Sequence, residues 1–228
     1  MGQCRLHVID LGRCDYDAAW ALQKEIHAAI LEDAAEPDRL ILVEHPPVIT
    51  LGRRADPDNV LFDEEHLAAQ GVQLRRVDRG GDVTYHGPGQ VVAYPIVRLT
   101  GSRRDVHGYF RSLEQAVIEL LAEYGIDAGR QDGLTGVWAG DEKVCAMGVA
   151  IKRWITYHGL ALNVDPDLDH FRLITPCGIA DKGVTSLRRL LARPVHLEEV
   201  KERLVRQFAA EFEYDAVERE GAPDRIRA

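Results

Sequence analysis

The sequence has no uninterrupted apolar run near the ~18 residues that a spanning helix requires. Its densest stretch, Val91 to Val97, has the length of a buried strand. No membrane partner is expected. The opening MGQCRLHVIDLGR alternates polar and apolar residues and lacks the apolar core of a secretory signal. Leu6 stands where an acylated Met-Gly terminus would need Ser or Thr. A cytoplasmic location is expected. Cysteine is scarce: Cys4, Cys14, Cys145 and Cys177 lie far apart, with no C-x-x-C pair and no metal-finger spacing, so free thiols are expected. Basic residues are also in deficit, 28 Lys and Arg against 37 Asp and Glu, a formal charge of -9. That balance argues against a surface shaped for nucleic acid.

Phosphate motifs are missing as well. Neither G-x-x-x-x-G-K-[ST] nor G-x-G-x-x-G occurs, which excludes nucleotide sites of those two kinds. The run Asp165-Pro-Asp-Leu-Asp169 imitates the start of a calcium loop, but His170 replaces its glycine and Pro176 its closing glutamate. No metal is expected.

What remains is the composition of a globular chain, 228 residues with 46% hydrophobic and 29% charged. A chain of that length buries ~70% or more of its unfolded surface. No repeat or Pro/Gly/Ser linker divides it, so residues 1–228 are expected to form one domain, with 213–228 as a flexible tail. A strand is expected over Cys4 to Asp10. Asp15 can then cap a helix with the stripe Ala19, Leu22, Ile26, Ala29 and Ile30. A buried strand follows at Leu40 to Glu44. The strongest helical pattern starts near Asp105 and carries Val106, Tyr109, Phe110, Leu113, Val117, Leu120, Leu121 and Tyr124 to a stop at Gly125. Another helix runs from about Leu197 to Phe212, with Glu198 and Glu199 in its first turn. Strand patterns occupy Leu74 to Val77, Val83 to Tyr85, Gln90 to Val97, Lys143 to Lys152 and Ile155 to Val164. Only Arg153 and Trp154 join the last two, too short for a crossover, so they should form an antiparallel hairpin. The class is α+β, with a mixed or mostly antiparallel sheet packed by helices.

Several places could carry chemistry. In Arg79-Gly-Gly-Asp-Val-Thr-Tyr-His-Gly-Pro-Gly-Gln90, four glycines surround a short β-branched run. Glycine lets backbone approach a ligand closely, although a glycine-rich strand connection would look the same. Cys177 lies in the bend Thr175-Pro-Cys-Gly-Ile179, as an exposed nucleophile or an inert turn cysteine, whereas Cys145 sits in an apolar strand where thiols are unreactive. Lys143 heads that strand, either as an ordinary strand-end lysine or, beside Cys177, as a cation that would favour the thiolate. His86 and His158 each precede a glycine, as ligand donors or as core histidines. Arginine pairs at 53–54, 75–76 with Arg79 nearby, 103–104 and 188–189 are solvated charges or a local basic patch.

Taken together, R-G-G-D-V-T-Y-H-G-P-G-Q (79 to 90), G-V-W (136 to 138) with Lys143 soon after, H-G-L-A-L-N-V (158 to 164), and P-C-G-I (176 to 179) followed by T-S-L (185 to 187) resemble the lipoyl(octanoyl) transferases. The resemblance covers roughly residues 5 to 205. It implies a biotin/lipoate protein ligase-like fold and transfer of octanoyl from octanoyl-acyl-carrier-protein to a lysine of lipoyl-dependent enzymes. The acceptors it implies are the lipoyl domains of 2-oxoacid dehydrogenases and the glycine cleavage H protein. Cys177 matches the family's nucleophile, and Lys143 the lysine that lowers its pKa and moves its proton. Arg79, Gly80, Gly81, Asp82, Val83, Thr84, Tyr85 and His86 would line the substrate pocket, with Ala146, Met147 and Gly148 and with Gly159, Leu160 and Ala161. No ATP is implied, since a thioester is already activated. Some of Arg53, Arg54, Arg75, Arg76 and Arg79 would then dock the acidic carrier. The competing readings are an ATP-dependent lipoate-protein ligase, an amidotransferase moving lipoyl between lysines, and a non-catalytic carrier-binding module.

Overall fold

The computed structural model describes residues 4–175 and 182–226. The chain begins with β1 (Arg5–Arg13), then α1 (Tyr16–Glu32), whose N-cap Asp15 accepts the Asp17 N–H at 2.8 Å. β2 (Asp38–Glu44), β3 (Val48–Leu51), α2 (Glu64–Ala69), β4 (Gln73–Arg76), β5 (Val83–His86) and β6 (Gln90–Ile96) follow. Asp105 caps α3 (Val106–Ala122) through the His107 N–H at 2.9 Å. Next come β7 (Gly129–Gln131), β8 (Leu134–Ala139), β9 (Glu142–Lys152) and β10 (Ile155–Asn163). β11 (Gly183–Val184), α4 (Leu187–Leu191), α5 (Leu197–Glu211) and β12 (Ala216–Glu220) complete the chain.

Nine strands form one mixed sheet, ordered β12-β1-β2-β6-β10-β9-β8-β7 with β11 beside β9. β1 is parallel to β2, and α1 makes the crossover between them; the pairs from β2 through β7 are antiparallel. α3 and α5 cover one face, where Leu113, Val117, Leu120, Leu204 and Phe208 meet Leu40, Val91 and Leu162. α1 covers the other through Leu22, Ile26 and Ile30 against Ile41, Val92 and Ala161. A second, three-stranded sheet, β4-β3-β5, lies beside it with its own core of Ile49, Leu67, Tyr85 and Phe171. The fold is the expected α+β class with a mixed sheet.

The hairpin forms as its two-residue connection requires. Arg153 and Trp154 both take positive φ, 52° and 63°, which matches the right-handed twist of the two strands it joins. β3 escapes the period-2 pattern because all four of its residues are buried. Within the segment 213–228, expected as a flexible tail, Ala216–Glu220 form the edge strand β12, parallel to β1. Cys4 and Asp215 exchange two hydrogen bonds at 2.8 Å, and the Tyr214 hydroxyl donates to Asp38 at 2.7 Å. Glu218 and Glu220 then pair with Arg5 and His7 across the strand. Those partners lie more than 170 residues away in sequence, out of reach of any local pattern.

Candidate active site

The β8–β9 pairing ends at Val137 and Cys145, which leaves the rest of β9 without a strand on its outer side. The glycine loop takes that edge: Gly80 N–H donates to the Val149 carbonyl at 2.8 Å. A cavity of about 1020 Å³ opens along it, between the loop, the first half of α3 and residues 133–135.

Small residues make the cavity's floor. In the β9–β10 register Ala146 lies opposite Ala161, Met147 opposite Leu160 and Gly148 opposite Gly159, and all six line the cavity. Gly148 has no room for a side chain, since a Cβ would sit 3.0 Å from Arg79 Cδ and 3.1 Å from the Gly80 carbonyl. The R-G-G loop therefore packs directly on the sheet.

Arg79, Gly80, Gly81, Asp82, Val83, Thr84 and His86 line the same cavity. Arg79 is a buried strut, not part of a surface patch. Its Nη2 donates to the Thr50 carbonyl at 2.8 Å and to Thr50 Oγ1 at 2.9 Å, and its Nη1 to the Gly80 carbonyl at 3.0 Å. These bonds tie the loop to β3. Tyr85, expected in the pocket, does not line it. The side chain packs edge-on to Phe171 in the small-sheet core, and its hydroxyl meets His170 Nδ1 at 2.9 Å. Tyr85 shares the small-sheet core with Val83; Val83 also reaches the cavity, whereas Tyr85 is committed to Phe171 and His170.

Behind the loop lies a buried aromatic group. His86 stacks on Tyr16 with ring centres 6.1 Å apart, and His45 stands 6.0 Å from His86. The Nδ1–H of His45 donates to the Cys14 carbonyl at 2.7 Å, so its Nε2 accepts the Tyr94 hydroxyl at 2.9 Å. Burial pushes His45 down to about 4 and His86 well below the usual imidazole range, so both are neutral. His158 takes φ 55° and donates through Nε2 to Asp78 at 2.9 Å; Tyr157 donates to the other Asp78 oxygen at 2.7 Å. The His158 hydrogen bond, with that of Tyr157, holds the Asp78 carboxyl well below the ordinary carboxylate range.

Lys143 stands at the head of β9 on the cavity wall, with Nζ 4.7 Å from the centre of the Trp138 ring. Its carbonyl accepts the Thr185 N–H at 3.0 Å, and β11 places Val184 beside it. Cys177 lies outside the described residues. The Thr175 N–H donates to the Asn59 carbonyl at 2.8 Å, and Gly183 and Val184 pair with Glu142 and Lys143. Cys145 is fully buried and its thiol is pushed up by that burial, as expected of an inert cysteine.

Glu114, Gln90 and Asn163 in and behind the wall are not singled out by the sequence pattern. Glu114 on α3 is 2% exposed and accepts Arg111 and Arg130 at 2.9 Å and the Gly136 N–H at 3.1 Å. The signal was a carboxylate inside the apolar stripe Phe110, Val117, Leu121. Gln90 and Asn163 were visible only as motif letters. Gln90 Nε2 donates to Asn163 Oδ1 at 2.9 Å, and Asn163 Nδ2 to the Thr185 carbonyl at 3.0 Å, which joins three of the motifs into one network.

Among the described residues no group of three or more His, Cys, Asp or Glu side chains is placed to hold a metal ion. No described helix is long and apolar enough to cross a membrane.

The octanoyltransferase of Alkaliphilus metalliredigens is 47% identical over 214 residues, covering 93% of this chain and 98% of that protein. A lipoate-protein ligase A structure bound with ATP superposes with a TM-score of 0.77 at 18% identity, over 99% of this chain and 91% of that one. A bi-partite lipoate protein ligase from Thermoplasma acidophilum, described with its E2 lipoyl domain, gives 0.76 at 19%, over 99% and 89%. Residues 15–209 match the model of the lipoyl protein ligase A/B catalytic domain, and the chain belongs to that family.

Proposed function

We propose that this enzyme moves an octanoyl group from a carrier-protein thioester to the ε-amine of a lysine on a lipoyl domain, through an acyl-enzyme at Cys177. The observation that carries the reading is the cavity itself: a floor of facing glycines and alanines with Lys143 on its wall. The family and the octanoyltransferase name of its relatives support it. An eight-carbon chain laid on that floor buries methylenes at ~0.8 kcal/mol each, roughly 5 kcal/mol in all.

In the first half-reaction Lys143 takes the Cys177 proton, and the thiolate attacks the thioester carbonyl. The C–S bond to the carrier breaks as the new one forms, and the proton returns to the departing carrier thiol. In the second half the target lysine, neutral when it attacks, displaces the Cys177 thiolate. The amide forms, the thioester breaks, and the amine's proton passes through Lys143 to the sulfur. ATP has no part in either half, because the donor is already activated. The acceptors are lipoyl domains of 2-oxoacid dehydrogenases and the glycine cleavage H protein, and the setting is cytoplasmic.

Intact-protein mass spectrometry after mixing with octanoyl-carrier protein, without ATP, tests this. The expected product is a hydroxylamine-sensitive octanoyl adduct, absent in Cys177→Ser and formed at least ~100-fold more slowly in Lys143→Ala, as loss of a general acid–base predicts. Acceptor octanoylation that requires free octanoate and ATP would move the chain to the ligases.

A further inference from the structure

The mouth of the cavity holds two charges that the acyl chemistry does not use. Arg53 and Arg54 follow β3 through Gly52, where a Cβ would come within 2.5 Å of the Gly81 carbonyl, so the turn is pressed against the glycine loop. Their backbone N–H groups donate to the Arg79 carbonyl at 3.0 Å and the Gly81 carbonyl at 3.3 Å. The backbone of the pair is thus pinned, while both side chains are exposed and line the cavity. Neither guanidinium has an ion pair or a side-chain hydrogen bond among the described residues. The nearby acid, Asp82, is already engaged by Asn59 Nδ2 at 2.6 Å and the Asp56 N–H at 3.2 Å. Arg111, also on the wall, is neutralised by Glu114 at 2.9 Å. Two adjacent exposed guanidiniums with no ion pair among the described residues form a site for an anion from outside.

We propose that Arg53 and Arg54 bind the phosphodiester of the carrier's thiol-bearing arm. The assignment rests on the transfer reading above, which places the acyl chain on the cavity floor and leads the rest of the arm out through the mouth. Guanidinium forks match phosphate oxygens in planar, paired geometry. An arm held at its phosphate presents its thioester to the cavity with less orientational freedom to lose.

The test uses three octanoyl thioesters: the carrier-bound donor, the detached phosphate-bearing arm, and the same arm lacking its phosphate. The readout is the ratio of kcat/KM for the phosphate-bearing arm to that for the phosphate-free arm, which cancels any general loss of fold or catalysis. In Arg53→Ala/Arg54→Ala that ratio falls ~10-fold or more, consistent with loss of charge-assisted hydrogen bonds at a solvated site. The wild-type ratio also falls at high salt, and the variant's does not. An unchanged ratio overturns the assignment. So does a loss confined to the whole carrier, which would mean that the arginines read the carrier's acidic surface. If the wild-type protein is acylated by none of the three donors, the transfer reading fails and this assignment fails with it.

Discussion

Glu114 accepts the Gly136 N–H at 3.1 Å across the gap between α3 and β8. Gly136 takes φ 112°, and a Cβ there would stand 2.5 Å from the Cys145 carbonyl and 3.6 Å from Lys143 Cδ. One buried carboxylate therefore holds the irregular stretch of β8 against which Lys143 lies.

Removing that carboxylate leaves two arginines and a buried N–H without their acceptor. Glu114→Ala is expected to cost about 3 kcal/mol of stability, read from the urea midpoint. Glu114→Gln keeps an acceptor for Gly136 and loses less. Both should slow octanoyl adduct formation in rapid-quench mass spectrometry, because the wall beside Lys143 is no longer held.

Chain-length preference should follow the floor. Ala146 faces Ala161 across the hairpin, and Ala146→Leu fills space for two or three methylenes. At ~0.8 kcal/mol each, roughly 2 kcal/mol is lost for octanoyl, a ~30-fold drop in kcat/KM. Butanoyl donors should be little affected, so a butanoyl, hexanoyl and octanoyl series measured side by side will show the preference shift to shorter chains. A uniform drop across the series would remove Ala146 from the acyl site.

The buried histidines predict a pH dependence of stability. His45 falls to about 4 in the folded protein against 6.5 when free, so the unfolded chain binds the extra proton between those values. Its contribution is complete above pH 6.5 and is lost as pH falls toward 4, about 3 kcal/mol over the window. His86 and His158 are shifted in the same direction, chiefly by burial, and steepen the slope. Urea unfolding across this window should give a shallower slope in His45→Gln than in the wild-type protein.

Much of the fold was legible. Asp15 and Asp105 cap their helices where the apolar stripes begin, and the Arg153-Trp154 connection closes the expected hairpin, because caps and two-residue turns are local physics. β3 and β12 were not legible: one is buried on every residue and the other depends on partners near the amino terminus. Tyr85 stands inside a contiguous motif, and its packing against Phe171 and His170, more than 80 residues away, is not visible in that motif.

The sequence by itself determined the chemistry available: which cysteine stands between a proline and a glycine, which lysine heads an apolar strand, where glycine leaves room. Those are properties of residue type and short-range order. Tertiary structure decided how they combine. It put Gly148 beneath Arg79, turned Arg79 into a buried strut on Thr50, and left Arg53 and Arg54 exposed at the mouth with no ion pair among the described residues. Whether an arginine is a strut or a docking charge depends on which carbonyls and carboxylates the packing of distant segments brings within 3 Å of it, and neighbouring letters carry no record of that.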